Sequence, residues 1–116
     1  MYVDVYVEKW TKDGSNSFYL YTTSAHGVDR WELYANTVFN NLINEKNGLW
    51  RDKKMRFIDG AWGEVQVKKS DIIEFIEKVD EEIGKDNEIS KEYALNMDKV
   101  KQLDDKKNYA LVCCEE

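Results

Sequence analysis

The sequence predicts an α+β fold in which a mainly antiparallel sheet is covered by two or three helices, in the order ββαββααβ. Three observations lead there. Residues Tyr2 to Trp10 alternate with a period of two, two later stretches carry apolar residues at helical spacing, and a turn at Asp59-Gly60-Ala61 joins two further alternating runs. Elements of both kinds interleave within 116 residues, with no internal repeat, low-complexity tract or domain boundary. A chain of that length forms one core, so residues 1–116 are read as a single α+β domain.

In the first run, Val3, Val5 and Val7 point one way, and Tyr2, Asp4, Tyr6, Glu8 and Trp10 point the other. Thr11 to Asn16 is turn chemistry, and Phe18 to Thr22 resumes the alternation. A hairpin with Val7 opposite Leu20 sets Tyr6 against Tyr21 and Glu8 against Tyr19 on the outer face. Asp29-Arg30-Trp31-Glu32 fits a capping box, with Val28 and Leu33 as a hydrophobic staple. Trp31, Ala35, Val38 and Leu42 then mark a helix face, and Asn47-Gly48 stops it. Trp50 to Ile58 and Trp62 to Lys68 form the second hairpin, pairing Met55 with Val65 and Arg56 with Glu64. Ser70 caps a second helix with the stripe Ile72, Ile76, Val79 and Ile83, and with Glu74, Glu77, Glu81 and Glu82 outward. A third helix runs from Ser90 with Tyr93, Met97 and Val100 inward, and Tyr109 to Cys114 closes the chain as a strand.

The net charge of −6 is unevenly distributed. Residues 1–68 hold nine Lys/Arg and nine Asp/Glu, whereas residues 69–116 hold eight against fourteen. Asp71 to Glu92 alone carries nine acids and three lysines, which accounts for the whole excess. Such a field repels phosphates and attracts basic partners, so direct nucleic-acid binding is not expected. No apolar run approaches the ~20 residues that cross a bilayer, and the N-terminus carries no secretory pattern, so no membrane association is expected. Cys113 and Cys114 are neighbours that a strand points to opposite faces, which implies two free thiols in a reducing compartment. A cytoplasmic location follows, and the Lys/Asn/Glu/Ile-rich usage suits a low-GC bacterium or a host cell infected by its phage.

Few residues offer catalysis. His26 is the only histidine, without a second ligand nearby, and no Gly-rich phosphate loop or nucleophile elbow is present. No metal or cofactor is expected, and the chain reads as a binder rather than an enzyme. One constellation suggests metal-dependent chemistry: Asp59 ends a strand, Glu64 to Lys68 occupies the next, and acidic Glu32 lies on the preceding helix. Over residues 29–84 this resembles the core of the PD-(D/E)xK nucleases, which implies Asp59 and Glu64 as Mg²⁺ ligands and Lys68 as the group that orients water. The chain departs from that pattern with Ile58 before Asp59, with Gln66 two residues before Lys68, and with a short Asp59–Gln66 interval.

Aromatic residues give the other lead. Tyr6, Tyr19 and Tyr21, with Glu8, form a predicted Tyr/acid face suited to a protein partner or to a small ligand such as a nucleotide, with His26 nearby. In size, acidity and lack of catalytic motif the chain is similar to bacterial immunity proteins and phage anti-defence proteins, anti-CRISPR inhibitors included. That likeness implies an inhibitor that blocks a basic partner, such as a nuclease or other nucleic-acid-binding protein, by electrostatic mimicry. Glu74, Glu77 and Glu81 on the second helix would steer the partner, and Tyr6, Glu8, Tyr19 and Tyr21 would grip it.

Overall fold

The computed structural model describes residues 3–10, 17–22, 29–45, 47–59, 62–85 and 94–115. Its elements are β1 (Val3–Lys9), β2 (Phe18–Tyr19), β3 (Tyr21–Thr22), α1 (Asp29–Asn44), β4 (Met55–Asp59), β5 (Trp62–Val67), α2 (Lys69–Gly84), β6 (Ala94–Leu95), α3 (Met97–Lys101) and β7 (Tyr109–Glu115). Five strands form one sheet in the order β2-β1-β7-β5-β4, every neighbour antiparallel, and β3 pairs with β6 separately. The α+β prediction and its approximate element order hold.

The sheet is centred on the last strand. Along β7, Ala110, Leu111 and Val112 are all fully buried, and β1 and β5 pair with it on its two edges. Strand alternation sends Val5 and Val7 of β1, Val65 and Val67 of β5, and Leu111 and Cys113 of β7 to one face. There they meet Trp31, Ala35, Val38, Phe39 and Leu42 of α1, and Ile72, Phe75, Ile76, Val79 and Ile83 of α2. Both helices therefore cover the same side, and the 3.6-residue stripes read from sequence are the buried ones. Phe39, Phe75 and Trp50 form an aromatic knot, with ring centroids 5.7, 5.8 and 6.4 Å apart in the three pairings.

Four details differ from the sequence reading. The first hairpin pairs Val7 with Phe18 and Tyr6 with Tyr19, two residues from the expected register. An even slip keeps each side chain on its face, so Phe18 and Leu20 still point to the core. The slip arises because the Leu20 N–H donates to Val5 O at 3.0 Å and Leu20 O accepts the Asn96 N–H at 2.8 Å. That second bond draws Tyr21 and Thr22 away to pair with β6, so Tyr21 does not share a sheet with Tyr6.

Trp50 precedes the strand rather than opening it. It lies in a run of turns closed by Arg51 N–H to Gly48 O and Lys53 N–H to Trp50 O, both 3.0 Å, and β4 starts at Met55. The expected pairs Met55 with Val65 and Arg56 with Glu64 are present. Helix α2 begins at Lys69, one residue before the expected cap Ser70, and the capping is done by Asp71. Its carboxylate accepts the Lys68 N–H at 2.9 Å and an ion pair from Lys53 Nζ at 3.0 Å. The third helix is shorter than expected, because Asn96 is held in a non-helical conformation between β6 and Met97 by its bonds to Tyr19 O and Leu20 O. Val28, the Asp59-Gly60-Ala61 turn beyond Asp59, and the helix start at Ser90 lie outside the described residues.

Among the described residues, no helix is long and apolar enough to cross a membrane.

Candidate protein-binding surfaces

Helix α2 turns its acidic face outward because its apolar positions claim the inward one. With residues 72, 75, 76, 79 and 83 buried, Glu74, Glu77, Glu81 and Glu82 are left exposed. Asp80 sits at the edge of this face and accepts the Trp31 indole N–H at 3.2 Å, tying α2 to the start of α1. The helix carries six acids and two lysines, and its last turn has no basic residue. The last turn of α1 has none either. Cations are favoured and anions disfavoured at a helix C-terminus, so Glu81 and Glu82 stand where the backbone dipole opposes them. Lys85, just past the helix, answers them in part. Its ammonium pairs with Glu82 Oε1 at 3.0 Å, and its pKa is raised first by that hydrogen bond and charge and then by Glu81.

Between the closing halves of α1 and α2 runs an open groove of about 410 Å³. Val38 and Leu42 supply its apolar floor, Asn41 and Glu45 one wall, and Lys78, Glu81 and Glu82 the other. Gly48 lets Glu45 fold back against the turn, since a Cβ there would stand 2.9 Å from Glu45 Oε2 and 3.0 Å from Glu45 Cβ.

The tyrosine surface lies on the other side of the sheet. Tyr6 and Glu8 alternate with the buried valines of β1, so they face away from both helices. Tyr6 meets Tyr19 edge to face at 5.8 Å between ring centroids, and Tyr19 is 54% exposed. The Tyr6 hydroxyl is pushed up to about 12, chiefly by burial, then by the charges of Glu8, Cys114, Glu64 and Tyr19. Continuing across the sheet from Tyr6, the register runs through Val112 to Glu64 and Arg56. Glu64 is fully buried and pairs with Arg56 Nε at 3.0 Å. The same guanidinium lies 3.8 Å from the centre of the Trp10 ring and donates from Nη2 to Trp10 O at 3.2 Å.

The two predicted parts of the partner-binding surface are thus separated by the sheet and its helix layer. Tyr6, Glu8 and Tyr19 share one side, while Glu74, Glu77 and Glu81 share the other. Tyr21 lies on β3, which pairs with β6 and not with β1.

Asp59, Glu64 and Lys68 are spread along one hairpin and its end. Asp59 is opposite Trp62 in register, and Glu64 is engaged by Arg56. Lys68 is an exposed residue at the start of α2 whose Nζ reaches Lys106 O at 3.5 Å. Glu32 sits on α1, across the sheet from Glu64. No group of three or more His, Cys, Asp or Glu side chains able to hold a metal ion is present among the described residues. His26 lies outside them. Cys113 and Cys114 form no disulfide, and Cys113 is buried beneath α1 with its Sγ 3.2 Å from Asn36 Oδ1.

Two features escape a reading of the sequence. The groove joins residues ~40 positions apart, and Glu45 belongs to the electrically neutral half of the chain, so no charge imbalance signals it. The Arg56 contact with Trp10 joins the ends of two strands that are not neighbours in the sheet. Compared with family models, with curated proteins and with solved structures, this chain matches none.

Proposed function

We propose that this chain is a small binding protein that blocks a basic, nucleic-acid-binding protein by presenting the acidic outer face of α2 in place of phosphates. The supporting observation is the exposed row Glu74, Glu77, Glu81 and Glu82 on a helix whose last turn holds no basic residue. Carboxylates spaced along a rigid helix can occupy a Lys/Arg-lined groove and exclude nucleic acid from it. An immunity protein or a phage anti-defence inhibitor, of the anti-CRISPR kind, would work in this way inside a bacterial cytoplasm. Because Tyr6 and Tyr19 face the other way, the α2 side of the molecule makes the contact with the basic site without them. The tyrosine side is a separate surface.

The test is capture of the partner from a bacterial lysate on immobilised protein, followed by salt titration and charge reversal. Binding should weaken steeply as ionic strength rises and should be lost in the Glu74→Lys, Glu77→Lys, Glu81→Lys triple variant. A partner held equally well at high salt, or equally well by the triple variant, would sink this function.

A further inference from the structure

We propose that the groove between α1 and α2 receives an arginine side chain from the protein partner, an inference that rests on the acidic-face function. Its floor and rim have different chemistry, and arginine matches both. The floor, Val38 and Leu42, is apolar and suits the aliphatic stem of a long basic side chain. The rim carries Glu45 just past the end of α1 and Glu81 and Glu82 on α2, so carboxylates border the opening on both sides. A planar guanidinium with five donors can address two walls at once, whereas an ammonium acts as a single compact charge and is held more strongly by water.

Charge complementarity singles out a cation as occupant. Lys78 lines the same groove and Lys85 pairs with Glu82, so two resident ammonium groups face three carboxylates and one negative charge is left over. The closing turns of both helices border the groove and add the negative ends of two backbone dipoles. Lys85, just past α2, is held protonated by its hydrogen bond to Glu82, by the charge of Glu82 and then by Glu81. The volume of about 410 Å³ lies in the range of about 300–1,000 Å³ typical of binding clefts. It admits a side chain together with its flanking backbone, so the occupant is an arginine within an exposed segment of the partner.

The experiment uses the full chain in two arms. In the first, the ¹⁵N-labelled protein is titrated with the tripeptides Gly-Arg-Gly and Gly-Lys-Gly. Amide shifts with the arginine peptide should concentrate at Asn41, Glu45, Lys78, Glu81 and Glu82, with affinity at least severalfold above the lysine peptide and reduced by added salt. Asn41→Trp, which fills the groove mouth without changing charge, should remove those shifts, and Glu45→Gln should weaken binding by roughly tenfold, the scale of one charge-assisted bond. Thermal melts confirm that both variants are folded, and Glu45→Gln carries the test alone if Asn41→Trp is not. Shifts spread equally over Glu74 and Glu77, or unaffected by both variants, overturn the proposal. In the second arm both variants are tried against the captured partner. A partner lost by the triple lysine variant but kept by Asn41→Trp and Glu45→Gln refutes the groove and spares the acidic face. A partner kept by all three refutes both.

Discussion

Removing the Arg56 charge is the perturbation that best tests how the side of the sheet opposite α1 and α2 is stabilised. Glu64 is fully buried, and its side chain is 1% exposed, while that of Arg56 is 42% exposed. Deleting one partner of a fully buried ion pair costs about 3–5 kcal/mol, and an exposed pair is worth about 0–1 kcal/mol. This pair has one member in each environment, and solvent reaches the guanidinium after any rearrangement, so Arg56→Met should cost about 2 kcal/mol. Methionine keeps most of the stem over Trp10, which confines the loss to the charge, the exposed hydrogen bond to Trp10 O and a cation–π contact worth about 0.5–1 kcal/mol. In urea, with a slope of roughly 1–3 kcal/mol per molar for a domain of this size, the midpoint should fall by about 1 M. Glu64→Gln removes the negative charge with little change of shape, so it should relieve most of the penalty of losing Arg56. The double variant should then be more stable than the sum of the single effects by about 1 kcal/mol or more. Additive effects in that cycle, or a midpoint unchanged in Arg56→Met, would refute the account of Glu64 as a charge that Arg56 makes tolerable.

Two further outcomes follow from side-chain environment. Tyr6 has its hydroxyl raised from 10.0 to about 12, so between those values the folded chain holds a proton that the unfolded chain has released. Stability should therefore be constant below pH 10 with respect to this group and fall as the pH rises toward 12, and Tyr6→Phe should flatten that slope in urea titrations. Among the thiols, Cys114 is partly exposed and Cys113 is buried beneath α1. Maleimide labelling of the native protein should modify Cys114 first and reach Cys113 only under denaturant, whereas equal rates at both would contradict the core placement of Cys113.

What the sequence disclosed and what it withheld divide along the range of the interactions involved. The valines of β1, the Trp31–Leu42 and Ile72–Ile83 stripes, and the Met55 with Val65 register are local patterns, each written within fifteen residues, and each appears in the structure. The place of β7 at the centre of the sheet is a long-range fact. Its only local sign is the unbroken apolar run Tyr109 to Cys114, which a strand buried on both faces requires and an edge strand would not. The break at Leu20 was illegible for a similar reason, since it depends on a bond to Asn96, 76 residues later. The candidate surfaces follow the same rule. The exposure of Glu74, Glu77 and Glu81 could be read from helical period alone. The separation of that face from Tyr6 and Tyr19 could not, because it depends on both helices packing on the valine side.

The acidic face of α2 is also hard to explain by folding alone. Its inward contacts are made by Ile72, Phe75, Ile76, Val79 and Ile83, so the outward positions were free to take residues that suit the helix. They hold like charges one turn apart at Glu74 and Glu77 and again at Glu77 and Glu81, each pair unfavourable by about 0.2–0.5 kcal/mol, while Glu74 to Lys78 and, at the helix end, Glu81 and Glu82 to Lys85 run in the favourable direction. Glu81 and Glu82 oppose the dipole at the C-terminal turn, at about 0.3–1 kcal/mol each before Lys85 offsets part of it. A sequence chosen only to stabilise this helix would place lysines there. Local choices that work against the fold mark positions kept for another purpose. Glu77→Lys, which sets a cation between Glu74 and Glu81, should therefore raise the stability of the isolated chain by up to about 1 kcal/mol, while weakening its hold on a basic partner. A face that exists only to be solvated would show the gain in stability and lose no binding, and this opposition between the two effects is what separates a docking surface from an incidental charge pattern.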